Sequence, residues 1–375
     1  MYISRIYNDL DQYLIPGKVL VIFGPRQAGK TTLVKHYLNQ TSYKYRFETG
    51  DNIQIQTLFS IADLTQLKEF VAGYELIIID EAQKIKHIGE TLKLLIDQIP
   101  NIRIIVTGSS SFELAGQVGE PLTGRKVTLN LFPIAQLELG QMYNHYDLKE
   151  QLENYLIYGS YPEIIAAEQI FQKREWITEI MQSYLLKDIL TLEQVKSSKI
   201  LLDLLRLLAF QIGKEVSLSE LAIHLNIDGK TVARYLDLLE KSFVVYNLRG
   251  YSRNLRKEIT KKSKYYFYDN GIRNAIIANF NALSLRNDIG ELWENFIVME
   301  RLKKQIYHHI HANNYFWRTW DQQEIDFVEE REGQLFGYEI KWKSQKVKVP
   351  KDWISTYSNA QFLIVDRENY LDFIT

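Results

Sequence analysis

Residues 19–32, VLVIFGPRQAGKTT, leave little freedom in how the front of this 375-residue chain can fold. The β-branched, apolar run Val19 to Phe23 reads as a fully buried strand, and Thr32 to Leu38 as the opening of an amphipathic helix. Between them Gly24-Pro25-Arg26-Gln27-Ala28-Gly29-Lys30-Thr31 fits G-x-x-x-x-G-K-[ST]. Strand, glycine-rich turn and helix in that order aim backbone N–H groups and a positive helix end at one point, which favours a polyphosphate. Lys30 is then expected to reach the β- and γ-phosphates, Thr31 to ligate Mg²⁺, and Gly24 through Thr32 to form the cradle. The competing explanation is a chance glycine turn on an α/β fold.

A second element argues against chance. Tyr74 to Glu81, YELIIIDE, is an apolar strand that delivers two adjacent carboxylates at its C-terminal end. Open α/β sheets bind ligands at that edge. Asp80 is the expected metal-side carboxylate, directly or through water. Glu81 is placed to orient and deprotonate an attacking water, which a bare nucleotide switch would not need.

Bulk properties narrow the class without naming it. The length suits two or three domains, and 46% hydrophobic with 24% charged residues is ordinary for a globular chain. With no cysteine, disulfides and thiolate zinc sites are excluded, and a reducing cytoplasm fits. MYISRIYNDLDQYL lacks a charged-then-apolar leader pattern, and no apolar run reaches membrane-spanning length, so no membrane partner is expected. A formal net charge of −1 gives no global pull toward nucleic acid, so any such binding must come from local patches.

Residues 1–135 alternate short apolar strands with helical patterns, as a parallel sheet with helical crossovers does. A strand at 43–51 is followed by helical 52–72, and a helix at 88–99 by the strand Ile102 to Thr107. Thr107 and Ser109 sit at that strand's tip, where a polar side chain can sense the γ-phosphate; a plain turn with a helix N-cap at Ser109 to Ser111 is equally open. Arg125 is placed either to approach the phosphates of this or a neighbouring subunit, or to be a surface arginine at a strand start. GPRQAGKTTL, LIIIDEAQ, VTGSSS and GRKVTLNLFPIAQLEL together resemble the prokaryotic AAA-14-type ATPases, which carry a DUF4143 region after the ATPase. The resemblance implies an AAA+-like ATP-binding core.

Residues 136–198 read as helical, with YGSYPEI at 158–164 as a break. In the resembling ATPases a Gly…Pro element of a helical lid approaches the nucleotide, which points to Gly159 and Pro162; an ordinary helix–helix turn is the alternative. Residues 199–250 read as a winged helix-turn-helix, with helices over 199–213, 217–225 capped by Ser219, and 230–241, then a wing from Phe243. Lys230, Thr231, Arg234 and Tyr235 are the expected outward residues for a major groove, diluted by Asp228, Asp237 and Glu240. A spacer beside the lid is the other reading. Arg249, Arg253, Arg256, Lys257, Lys261, Lys262 and Lys264 form the most basic run, either a phosphate grip or a solvated face.

A second constellation lies further on. Asn287 to Gly290 open a helix that carries Glu294, and 324–328 and 335–342 read as hairpin strands turning near Glu332-Gly333. A two-residue turn puts Asp326 across from Glu339, with Lys341 on the same face. Apposed carboxylates repel unless a cation sits between them, so Asp326 and Glu339 are the expected Mg²⁺ ligands. Lys341 would position or help deprotonate a water, and Glu294 would add an acidic ligand. Glu…Asp…Glu-x-Lys is similar to the PD-(D/E)XK nuclease superfamily. No Q-x-x-x-Y helix follows Lys341, as exonuclease-type members would have; Lys343, Lys346, Lys348 and Lys351 stand there instead.

The expected whole is an α/β chain. A P-loop AAA+-like ATPase core spans 1–135, a helical lid 136–198, a winged helix-turn-helix 199–255, and a small nuclease-like α/β domain 256–375. ATP and Mg²⁺ are the expected cofactors. Nucleic acid, DNA before RNA, or a protein is the expected partner, and a homo-oligomer is compatible with the pattern.

Overall fold

The computed structural model describes residues 2–109, 121–183, 197–252, 263–319 and 321–375. Ser110 and Ser111, and the basic residues Arg253, Arg256, Lys257, Lys261 and Lys262, lie outside the described residues. The first half of the chain gives strands β1 (Val19–Phe23), β2 (Tyr45–Thr49), β3 (Leu76–Asp80), β4 (Arg103–Gly108) and β5 (Lys126–Asn130). Between them run helices α1 (Lys30–Leu38), α2 (Ile53–Ile61), α3 (Leu64–Val71) and α4 (Ile88–Gln98).

The strands form one sheet in the order β2-β3-β4-β1-β5, with every neighbour parallel. Alternation along β1 explains the two layers. Val19, Val21 and Phe23 face α2, α3 and α4, while Leu20 and Ile22 face α1 and the N-terminal Tyr7 and Leu10. Buried on both sides, the central strands are continuous aliphatic runs, as a covered parallel sheet requires. The helical stretch expected over 52–72 divides in two, because Ala62 turns left-handed at φ +56° and Asp63 caps α3 by accepting from Gln66 N at 2.9 Å.

Past β5 come α5 (Gln136–Leu139), α6 (His145–Glu150), α7 (Leu152–Tyr158), α8 (Pro162–Ala166) and α9 (Ile170–Met181). The next helices, α10 (Ser198–Phe210), α11 (Leu218–Leu225) and α12 (Gly229–Lys241), fall where three were expected. Ser217, not Ser219, caps α11, because its hydroxyl is the one that meets Glu220 N. Tyr235 is only 3% exposed: it joins the stripe of Val232, Leu236 and Leu239 rather than facing outward with Lys230 and Arg234.

Then follow α13 (Asn270–Ile276), the 19-residue α14 (Ile289–Tyr307), α15 (Lys351–Thr356) and α16 (Tyr370–Ile374). They pack on strands β6 (Glu215–Val216), β7 (Val245–Gly250), β8 (Ser263–Phe267), β9 (Asn313–Arg318), β10 (Glu324–Arg331), β11 (Gln334–Ile340) and β12 (Gln361–Val365). Among the described residues these make a single sheet, β12-β11-β10-β9-β7-β8-β6. The boundary expected at residue 255 therefore falls inside a continuous sheet, joined where β7 pairs with β9 through Arg249↔Tyr315 and Gly250↔Phe316. One apolar cluster runs from Ile3 and Ile134 through α7, α10 and α14 to Ile374, so the two halves share a core.

The start of α14 is held by charge. Asp288 accepts from Arg286 at 2.8 Å and from Arg273 at 2.6 Å. Burial alone would raise this carboxyl, but the two guanidiniums more than offset it and hold it at about 2. A depressed carboxyl stabilises the fold above its unfolded value of 3.8, and that contribution is lost as pH falls toward 2. Asp288→Asn should therefore cost about 1 kcal/mol at neutral pH, once solvent screening of this half-buried carboxyl is discounted, and flatten the acid limb of the melting curve. Parallel acid limbs for variant and wild type would remove the pairing from the account.

Candidate functional site

The phosphate loop is shaped by glycine. At Gly24 (φ +157°) a Cβ would lie 2.0 Å from the Leu131 carbonyl oxygen, so no side chain fits there. Gly29 is left-handed at φ +96° and hands over to α1 at Lys30. Lys30 is 5% exposed and curls back to donate to the carbonyls of Gly24 and Pro25, both at 2.9 Å. Within the loop Pro25 and Ala28 are buried and Arg26 is half-buried, while Gln27 and Thr32 are exposed.

Opposite the loop, β1, β3 and β4 end together. Thr31 Oγ1 donates to Asp80 Oδ2 at 2.8 Å, and Thr107 Oγ1 donates to Asp80 Oδ1 while accepting from Glu81 N at 3.2 Å. Asp80, Thr107 and Ser109 are all nearly enclosed. This group of hard oxygens beside a glycine cradle fits the donor set of Mg²⁺. Glu81 takes a left-handed backbone at φ +52°, and its carboxylate is held by Gln83 Nε2 at 2.6 Å.

The break at 159–162 reaches the same place. Pro162 Cγ lies 3.7 Å from where a Gly29 Cβ would be. Gly159 (φ +79°) leaves no room for a side chain, because Asp269 Oδ1 would stand 2.0 Å from its Cβ. Asp269 is buried and accepts from Ser160 N at 2.7 Å, so it pins the break that carries Pro162. Sequence reading missed Asp269; the turn-like Tyr268-Asp269-Asn270-Gly271 was its only signal.

Arg125 is a correction for this chain's own phosphates. Parallel pairing sets Val19 beside Lys126, and Val19 N donates to Arg125 O at 2.8 Å, so Arg125 sits at the start of β1. The phosphate loop follows the other end of that strand. The guanidinium pairs there with Asp97 at 2.9 Å, both half-exposed.

The C-terminal constellation is gathered from α14, β8, β10 and β11. Arg331 pairs with Gln334 around a two-residue turn, with Glu332 at φ +51° and Gly333 at φ +73°. That register, through Phe327↔Tyr338, brings Asp326 opposite Glu339. Lys341 Nζ bridges them, 2.6 Å from Glu339 Oε1 and 3.5 Å from Asp326 Oδ2. Asp326 also accepts from Ile340 N at 2.9 Å, whereas Glu339 Oε2 is buried without a hydrogen-bond partner. That orphan oxygen suits a cation.

Three residues sit in surroundings other than those expected. Glu294 is held by Tyr266 OH at 2.6 Å, with Lys264 Nζ 3.7 Å away, and among the described residues no set of three or more His, Cys, Asp or Glu is arranged for a metal ion. Burial raises Glu294 to about 7, with Asp326 and Glu324 adding to it and Lys264 and Tyr266 opposing. Burial would lower Lys341, but Asp326, Glu339 and Glu294 hold it above the ordinary lysine value. Lys264, expected to grip a phosphate, is 2% exposed and lies 2.5 Å from Glu324 Oε1, enclosed by strand and helix. Lys343, Lys346, Lys348 and Lys351 are exposed, as is Arg249. Tyr266 and Glu324 were missed, since nothing local in sequence ties them to Glu294.

Three family models match the chain. Residues 16–140 match a model described as AAA domain. The front third of the chain is an AAA domain. Residues 289–372 match a domain of unknown function, DUF4143, and residues 149–283 another, DUF8612, which spans the boundaries expected at 198 and 255. The AAA match thus covers Gly24 through Thr32, Asp80, Glu81, Thr107 and Ser109, and the DUF4143 match covers Glu294, Asp326, Glu339 and Lys341. An uncharacterized protein of Mycobacterium tuberculosis is 28% identical over 328 residues, 86% of this chain and 70% of that one. One of Haemophilus influenzae is 25% identical over 89% of this chain and 84% of its own. Among solved structures, a Thermotoga maritima RuvB mutant is similar at 17% identity and a TM-score of 0.32, over 65% of this chain and 90% of that one. AMPPCP-bound DnaA of Aquifex aeolicus is similar at 18% and 0.27, over 63% and 86%. Among the described residues no helix is long and apolar enough to cross a membrane.

Proposed function

We propose that this chain is a Mg²⁺-dependent ATPase whose nucleotide state governs a C-terminal module acting on nucleic acid, DNA before RNA. The observation that carries the first part is the junction of Thr31, Asp80 and Thr107 beside a glycine-shaped loop whose lysine rests on its own carbonyls. Backbone N–H groups from Gly24 to Thr32 would cradle the phosphates, with Arg26 and Gln27 at the rim. Lys30 would leave the Gly24 and Pro25 carbonyls for the β- and γ-phosphates. Thr31 and Asp80 would hold Mg²⁺, which when bound offsets charge on the phosphate oxygens. Glu81 would take the proton of the attacking water, with Thr107 and Ser109 sensing the γ-phosphate side. Arg125, remote from its own loop, would serve the phosphates of a neighbouring copy in a homo-oligomer. A cytoplasmic setting suits a chain without cysteine.

For the second part, the orphan Glu339 Oε2 beside Asp326 supports a divalent-cation site, with Lys341 as the ammonium that positions a phosphate oxygen or water. A second reading has its own observation. Lys264 and Lys341 already neutralise the carboxylates, which favours an inert nuclease-like domain that binds DNA or a protein partner without cutting. The α10–α12 helices with β7 would then act as a winged-helix spacer or groove reader.

The deciding experiment measures Mg²⁺-dependent ATP turnover at rising protein concentration, together with Mg²⁺- or Mn²⁺-dependent nicking of plasmid. A rate per chain that rises with concentration and drops in Arg125→Ala, with ATP affinity kept, supports the neighbouring-copy role. No turnover under any condition ends the ATPase reading. Absence of nicking with either metal leaves the binding module.

A further inference from the structure

We infer that Arg5 is a positioning residue of the phosphate loop and that, through Tyr307, it ties the loop to the helix that carries Glu294. The inference rests on the proposed ATPase reading and deepens it by naming how the nucleotide state would reach the C-terminal module.

Arg5 lies outside every motif of the sequence, yet it is 4% exposed. All three guanidinium nitrogens are engaged. Nη1 donates to Ala28 O at 2.7 Å, Nη2 to Phe132 O at 2.7 Å, and Nε to Glu138 Oε1 at 2.9 Å, with Nη2 a further 3.3 Å from Glu138 Oε2. Ala28 is the loop residue just before Gly29 and Lys30, so the guanidinium grips the loop's closing turn. Tyr307, the last residue of α14, meets the same fork at 3.5 Å, and its hydroxyl accepts from Phe132 N at 3.0 Å. Leu131, the neighbour of Phe132, donates to Phe23 O at 2.7 Å and closes over Gly24. Tyr307 therefore touches both ends of the loop, the beginning through 131–132 and the end through Arg5.

From Tyr307 the helix runs back to Glu294, about 20 Å at 1.5 Å per residue. It is braced along the way. Glu300 Oε2 accepts from Gln136 N at 2.6 Å, and Arg301 makes a two-point pair with Glu329 at 2.5 and 2.9 Å on β10, the strand that carries Asp326. The element with two states is Lys30. Either it sits on the Gly24 and Pro25 carbonyls, as here, or it leaves them for phosphate, which frees the loop backbone that Arg5 and Leu131 hold.

The test uses the full chain with Mg²⁺ and ATPγS. Calorimetry with the analogue gives affinity, steady-state turnover of ATP gives kcat and KM, and amide exchange with the analogue reports 289–307 and 324–341. Tyr307→Phe, which removes one hydroxyl, is expected to keep affinity within about threefold and to lose the nucleotide-dependent exchange change in 289–307. Arg5→Lys keeps the charge and loses the fork; affinity is expected to fall about tenfold, with KM rising more than kcat falls. Wild-type affinity in Arg5→Lys together with wild-type exchange in Tyr307→Phe overturns the inference. So does nucleotide binding by wild type with no change in 289–307, which leaves the ATPase reading standing. No nucleotide binding by wild type overturns both.

Discussion

Glu81→Gln is expected to bind ATP as tightly as wild type and to turn it over about 10²- to 10⁴-fold more slowly, the usual range for loss of a general base. The backbone supports so clean a separation. Glu81 N is fixed by Thr107 Oγ1 and its left-handed turn sits between Asp80 and the short helix that follows, so the side chain's position does not depend on its charge. Glutamine keeps the shape and the Gln83 contact, and loses only the ability to accept a proton. The phosphate loop is untouched. Lys30→Ala should do the opposite, removing the ammonium that answers the phosphate charge and lowering affinity by about 100-fold or more. The pair of variants therefore splits chemistry from binding, read by calorimetry and by phosphate release. If Glu81→Gln hydrolyses ATP at the wild-type rate, the attacking water is activated elsewhere, and the carboxylate is only a turn residue.

How much of this was legible depends on how local each signal is. The strand–loop–helix at 19–38 is contiguous, and each residue's reason to be there lies within a few positions. The hairpin was nearly as readable. Glu332-Gly333 demands left-handed backbone at both turn positions, and once the turn is two residues long the register carries Asp326 to Glu339 without further information. Arg125 was misplaced for its own loop because its site depends on which strand lies beside β5. Only the order β2-β3-β4-β1-β5 shows that its neighbour is the beginning of β1. Arg5, Glu138 and Tyr307 are further apart still. The partners lie 133 and 302 positions from Arg5, and no periodicity links them. Lys264 misled for a different reason: in sequence it closes a basic run, but the pleat of β8 turns it inward, where Glu294 and Glu324 compensate a charge that burial would otherwise forbid.

Lys341→Ala separates the two readings of the C-terminal module, because each assigns the ammonium a different task. In the cutting reading it positions a reacting oxygen, so metal-dependent nicking should fall by about 10³-fold, while Lys30→Ala, remote from this site, should still nick but lose the response of nicking to ATP. Removing it also leaves Asp326 and Glu339 apposed with no cation between them, so added Mg²⁺ should raise the melting temperature of the variant more than that of wild type. In the inert reading the lysine is a structural counter-ion. Its side chain is 30% exposed, so its loss should cost about 2 kcal/mol, less than a fully buried pair would. Mg²⁺ should then bring no recovery, since an inherited carboxylate pair without a cation's geometry gains nothing from the ion. Asp326→Asn sharpens the comparison. It relieves the repulsion in both readings, yet only in the cutting reading does it also abolish nicking and Mg²⁺-dependent stabilisation together. A variant that melts like wild type and still nicks would take Asp326 out of the site altogether.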